Sequence, residues 1–167
     1  MNTIRFTIRW LGAYAVAAMA GYAIASLGIT SHNLARLSAL DVYIGIADAW
    51  NTIVFDFKAL SPTFATVTKY GSVVWLGFLI AFATAQILRV LLERRWRSRY
   101  LGIALFALAG VTAMIVGIAI IDAQYKVSMI SGTGGVSGYL TQLLAGAIAG
   151  AIFVGCFDKS ASILVRA

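Results

Sequence analysis

Four stretches of this chain, Trp10 to Gly28, Tyr70 to Leu92, Tyr100 to Ile121 and Val136 to Gly155, are predominantly apolar over the length of a membrane span. About 20 helical residues cross a hydrocarbon core of roughly 30 Å, and each stretch is of that order. Across the 167 residues, 61% are hydrophobic, 11% are charged and one is proline, a balance far from that of a soluble domain. The expected fold is an all-α integral membrane protein: a four-transmembrane-helix bundle with an amphipathic outer, periplasmic-side helix between the first and second spans. Residues 1–167 read as a single membrane domain. Its spans are 10–28, 70–92, 100–121 and 136–155, joined by an outer loop (29–69), a basic inner loop (93–99) and an outer Gly-rich loop (122–135), with an inner tail (156–167).

The first span imitates a secretory signal, with Arg5 and Arg9 before the apolar run and Ala23-Ile24-Ala25 as a small-residue site after it. It is read here as an uncleaved span. Orientation follows from the basic residues, which collect in cytoplasmic loops. Arg5, Arg9, Arg89, Arg94, Arg95, Arg97, Arg99, Lys159 and Arg166 fall on one side, against Arg36, Lys58, Lys69 and Lys126 on the other. Acids sharpen the contrast: Glu93 and Asp158 leave the first side strongly positive, whereas Asp41, Asp48, Asp56 and Asp122 cancel the second. Both termini are expected in the cytoplasm of a bacterium, with the chain multi-pass in its inner membrane.

The isoelectric point of about 9.9 could suggest nucleic acid. The charge, however, lies in a band beside the spans. Arg94, Arg95, Trp96, Arg97 and Arg99 are therefore expected to contact anionic lipid headgroups, each basic residue contributing about 1 kcal/mol near the surface, and no nucleic-acid partner is expected.

In the long loop, Tyr43, Ile46, Ala47, Trp50, Ile53, Val54 and Phe57 recur at helical spacing, with Asp41, Gly45, Asp48 and Thr52 on the other face. Ser38 supplies a candidate cap three residues before Asp41, and Ser61-Pro62 closes the region. Because the polar face is acidic, the helix is expected to pack on protein rather than on anionic lipid. Trp10, Trp96 and Tyr100 are placed at the inner interface, and Tyr70, Trp75, Tyr125 and Tyr139 at the outer.

Small residues at spacing four let helix backbones approach closely in lipid. Ala13, Ala17, Gly21 and Ala25 form one such ridge, Ala113 and Gly117 another, and Gly146 and Gly150 a GxxxG beside a further line of Ala147, Ala151 and Gly155. These exceed what one bundle needs, so part of them is expected at an interface with other chains.

Motifs for chemistry are sparse. The run MISGTGGVSG (129–138) resembles a phosphate-cradling loop, but no lysine follows its glycines as a P-loop requires. As a dinucleotide fingerprint beginning at Gly132 it carries Ser137 where glycine is needed. It reads as a turn. His32 and Cys156 each stand alone, with no CxxC pair, and no Ser-His-Asp or paired-carboxylate pattern emerges. No cofactor or metal is expected. Asp122 and Lys126 are four apart and suit a surface pair if the third span's helix continues that far. Gln86, with Thr84 and Arg89 nearby, and Gln142 lie inside spans, where polar groups are expensive. They read either as interhelical hydrogen bonds of about 1 kcal/mol, with Arg89 reaching to the interface, or as a polar pathway.

The function that this pattern favours is a non-catalytic accessory, assembly or scaffold subunit of a bacterial inner-membrane complex. Its partners would be membrane lipids and other membrane subunits or further copies of itself. The alternative is a small homo-oligomeric channel or carrier for a lipid or neutral solute, lined by Gln86, Arg89 and Gln142. A lipid-acting enzyme with its site in the outer loops is a third, weaker option for want of residues.

Overall fold

The computed structural model describes residues 3–59, 70–93, 99–125 and 136–164. They form five helices and, among the described residues, no strand: α1 (Thr3–Ala39), α2 (Ile46–Ala59), α3 (Tyr70–Glu93), α4 (Arg99–Tyr125) and α5 (Val136–Leu164). All but α2 are long and apolar enough to cross a bilayer, the architecture of a multi-pass membrane protein. Side-chain contacts fix the directions. Arg9 meets Phe157 and Gln142 meets Ala25, so α1 and α5 are antiparallel. Tyr70 meets Gln142 and Arg89 meets Asp158, so α3 runs parallel to α5. The bundle has a basic end, at Arg9 and Arg89, and a hairpin end, where α2 follows α1.

Two helices outrun their apolar windows. α1 extends beyond Trp10–Gly28 at both ends, and α5 continues past Gly155 to Leu164. Apolarity marks where hydrocarbon lies, whereas a helix ends where its backbone is capped; neither 29–39 nor 156–164 contains glycine or proline to stop it. The stop for α1 comes at Asp41, whose φ of 58° is left-handed. The Val42 amide donates to the Leu37 carbonyl at 3.2 Å and the Asp41 amide to Ser38 at 3.1 Å, the paired bonds of a Schellman turn. Ser38 thus closes α1 and does not open the next helix. α2 starts at Gly45, whose carbonyl accepts from the Ala49 amide at 3.0 Å, with acidic Asp48 in the first turn.

The core is aromatic. Phe78 and Phe82 of α3, Phe106 of α4 and Phe153 of α5 are completely buried. Phe82, Phe106 and Phe153 meet at centroid distances of 4.7 to 5.9 Å. Phe157, Phe6 and Trp10 carry the cluster to the basic end, and Tyr14 links Trp10 to Trp75. Tyr70, which opens α3, is buried between the helices, and Trp75 packs against Tyr14.

Candidate functional site

Polar side chains concentrate at the hairpin end. Gln142, almost wholly buried on α5, accepts a hydrogen bond from the Tyr70 hydroxyl of α3 and donates its Nε2 to the Ala25 carbonyl of α1 at 3.0 Å. The Thr30 hydroxyl lies 2.9 Å from Asp56 Oδ2 and 3.1 Å from the Ser26 carbonyl, within reach of donating to either. Tyr22 donates to the Phe57 carbonyl at 2.6 Å. One polar knot therefore ties α1, α2, α3 and α5. In an apolar surround such groups are costly unless paired, which makes the knot a device for register.

At the opposite end, two arginines converge on adjacent residues of α5. Arg9 donates to the Phe157 carbonyl at 2.8 Å with its guanidinium 5.1 Å from the Phe157 ring centre, and Arg89 pairs with Asp158 at 3.2 Å. Arg89 is thus engaged across α3 and α5. Gln86, one turn before it, has a buried Oε1 with no hydrogen-bond partner among the described residues.

Gln86 and Arg89 stand near one end and Gln142 near the other, and Phe78, Phe82, Phe106 and Phe153 fill the interior between them. The structure does not bring these three polar residues together. Among the described residues, no cluster of three His, Cys, Asp or Glu could hold a metal. Cys156 is half-buried against the core.

The small-residue ridges have separate fates. Ala13, Ala17 and Ala25 are buried, and a Cβ at Gly21 would come within 2.8 Å of Ala149 and of the Phe78 ring. At Gly28 a Cβ would stand 2.5 Å from Thr141 Cγ2. Gly146 and Gly150 lie directly on α4: a Cβ at Gly146 would collide with the Gly110 carbonyl, one at Gly150 with the Phe106 carbonyl, and one at Gly110 with the Gly146 carbonyl. The GxxxG is consumed inside the chain, and Gly110, unmarked in the sequence for want of a second glycine four residues away, is its counterpart. Ala113 and Gly117 face α3, where they help form a groove. Ala151 is exposed, and a Cβ at Gly155 would meet nothing within 4 Å.

That groove, about 710 Å³, runs between α3 and α4 from Val73 and Ile120 to Leu88 and Leu105. Its lining is apolar except for Thr84 and Thr112, whose hydroxyls donate to the Ile80 and Leu108 carbonyls of their own helices, each at 2.9 Å.

Arg94, Arg95, Trp96 and Arg97 lie outside the described residues, as do Lys126 and the part of the glycine-rich run before Val136; Arg99 opens α4. The fold and these features define a polytopic four-span bundle braced by a polar knot and an aromatic core. Comparison with protein-family models, with curated proteins and with solved structures finds no match.

Proposed function

We propose that this chain is a non-catalytic accessory, assembly or scaffold subunit of a bacterial inner-membrane protein complex, with both termini cytoplasmic and α2 on the periplasmic side. The observation that carries the reading is the face α2 leaves uncovered. Its half-buried side includes Ala49, Thr52, Ile53, Asp56 and Phe57, so polar Thr52 and Asp56 are turned inward. The first part of the apolar face points away: Ile46 is 92% exposed and Trp50 64%, and Tyr43, just before the helix, is 93% exposed.

Trp50 and Ile46 precede the docked Asp56 by six and ten residues, about 9 and 15 Å at the helical rise of 1.5 Å per residue. Both lie toward the N-terminal end of α2, next to the turn that follows α1. An apolar stripe left uncovered on a helix that is docked by its other side suits a protein partner. The acidic residues beside it, Asp41 and Asp48, disfavour anionic lipid.

The basic residues at the other end support the cytoplasmic placement of the termini, and the run from Arg94 to Arg99 suits anionic headgroups. A carrier or channel has the unpaired Gln86 Oε1 in its favour and four buried phenylalanines between Gln86 and Gln142 against it.

The test is gentle extraction from native membranes followed by native mass spectrometry. A stoichiometric foreign protein is expected. Joint Ile46→Asp and Trp50→Asp substitution should reduce its recovery by about tenfold, equivalent to 1.4 kcal/mol of interface energy, while leaving the bundle's thermal transition in place. Absence of any such protein, or undiminished recovery from the variant, would refute the reading.

A further inference from the structure

The geometry points to a binding site at the basic end of the bundle for a phosphate ester that carries a free hydroxyl, the chemistry of a glycerol-type phospholipid headgroup. Charge is the first argument. Arg9 of α1 and Arg89 of α3 reach consecutive residues of α5, Phe157 and Asp158, so two guanidinium groups converge where there is one carboxylate. Asp158 pairs with Arg89 at 3.2 Å, and among the described residues no carboxylate pairs with Arg9. Phe157 holds Arg9 twice: its carbonyl accepts from Nη2 at 2.8 Å, and its ring centre lies 5.1 Å from Cζ. Neither contact neutralises the guanidinium. Both fix it in place, which leaves a preorganised cation of the kind that binds phosphate oxygens through paired N–H groups.

The second argument is a matched pair of unused hydrogen-bonding atoms. Arg9 Nε, a donor, and Gln86 Oε1, an acceptor, are buried and have no partner among the described residues. Gln86 precedes Arg89 by three residues, about 4.5 Å of helical rise, so both atoms belong to the same end of the bundle. Polar atoms left in this state are costly, and a group that accepts from an arginine and donates to an amide oxygen relieves both. A phosphate ester with a hydroxyl does so. A carboxylate or a halide only accepts.

The same two atoms sort the common headgroups. An ethanolamine ammonium would be set beside two arginines, and choline has no N–H or O–H to give Gln86, whereas glycerol supplies hydroxyls without charge. The side chains of Arg89 and Asp158 keep 16% and 30% of their surface exposed, so an arriving headgroup reaches them from the end of the bundle. This site is separate from the uncovered face of α2 and does not depend on the subunit reading.

Native mass spectrometry of the delipidated protein in detergent, with phospholipids added at equal concentration, tests the assignment. Phosphatidylglycerol is expected to bind about tenfold more tightly than phosphatidylethanolamine or phosphatidylcholine. Arg9→Gln should remove about that factor, and Arg9→Lys, which keeps the charge without the fork, should restore only part of it. Gln86→Leu should bring phosphatidylglycerol down to the affinity of phosphatidylmethanol, an anionic phosphodiester with no hydroxyl, while leaving phosphatidylmethanol binding unchanged. General loss of charge or stability would not give that pattern, so the Gln86 comparison decides even if Arg9→Gln unfolds. Arg5→Gln, at an exposed position one turn earlier, is the control and should change binding less than about twofold. Glycerol 3-phosphate separates the two sources of this chemistry: failure to displace the lipid is expected of a headgroup site, and displacement would keep the phosphate site but assign it to a soluble ester. Equal losses from Arg5→Gln and Arg9→Gln, or equal affinity for phosphatidylglycerol and phosphatidylmethanol, would overturn the proposal in favour of unspecific charge attraction. Binding of none of these phosphates, with a protein lost from Arg9→Gln membranes on co-purification, would overturn it in favour of a partner's carboxylate at Arg9.

Discussion

The contacts of α4 with α5 and of α4 with α3 are written in the same small residues and end in opposite physical states. Against α5, Gly110, Gly146 and Gly150 bring backbone onto backbone, with no room for a methyl group. Against α3, Gly77 and Gly117 leave ordinary van der Waals clearance and a hollow of about 710 Å³. The α1 window is 50% buried and the α3 window only 22%, so the open side is also the side on which the bundle covers least. A glycine at spacing four therefore licenses close approach; whether the approach is completed within the chain depends on what faces it.

Substitutions can break this contrast. Gly150→Leu drives a side chain into the Phe106 carbonyl, and its expected cost is about 3 kcal/mol or more, read as loss of the cooperative thermal transition in detergent. Gln142→Leu leaves the Tyr70 hydroxyl without its acceptor, and about 1–2 kcal/mol of stability should go with it in the same assay. Arg89→Gln removes a partly exposed pair with Asp158 and should lower stability by less than about 1 kcal/mol, with an effect that shrinks as salt is added. Smallest of all, Gly77→Ala should change stability by less than about 0.5 kcal/mol because a Cβ there has room. A Gly77→Ala cost equal to that of Gly150→Ala would erase the distinction between closed and open contacts.

Much of the fold was legible because hydrocarbon thickness imposes a length that apolar runs reveal. The windows at 70–92, 100–121 and 136–155 each fall within a helix. Helix ends were less legible, since α1 runs on from Ile29 to Ala39 past its apolar window, and the reversal at Asp41 depends on a left-handed φ seldom adopted by residues other than glycine. The sequence pattern identified Gln142 as a buried polar group, but its partners Tyr70 and Ala25 are 72 and 117 residues away and leave no local trace. For α2 the helix was visible, as were Ile53, Val54 and Phe57 of its docked side, and the inward turn of Asp56 was not. Asp56 turns inward because Thr30 supplies a donor, and that donor is specified on another helix.

The Schellman turn at Asp41 also bears on the order of assembly. The bonds linking α2 to α1 join residues 26 and 35 apart in sequence, whereas those linking α5 to α1 span 117 and 148. Loop closure favours short separations, and a chain made from its N-terminus presents α1 and α2 first. The hairpin that holds Trp50 outward can therefore be in place during synthesis, while α4 and α5 are still to be translated.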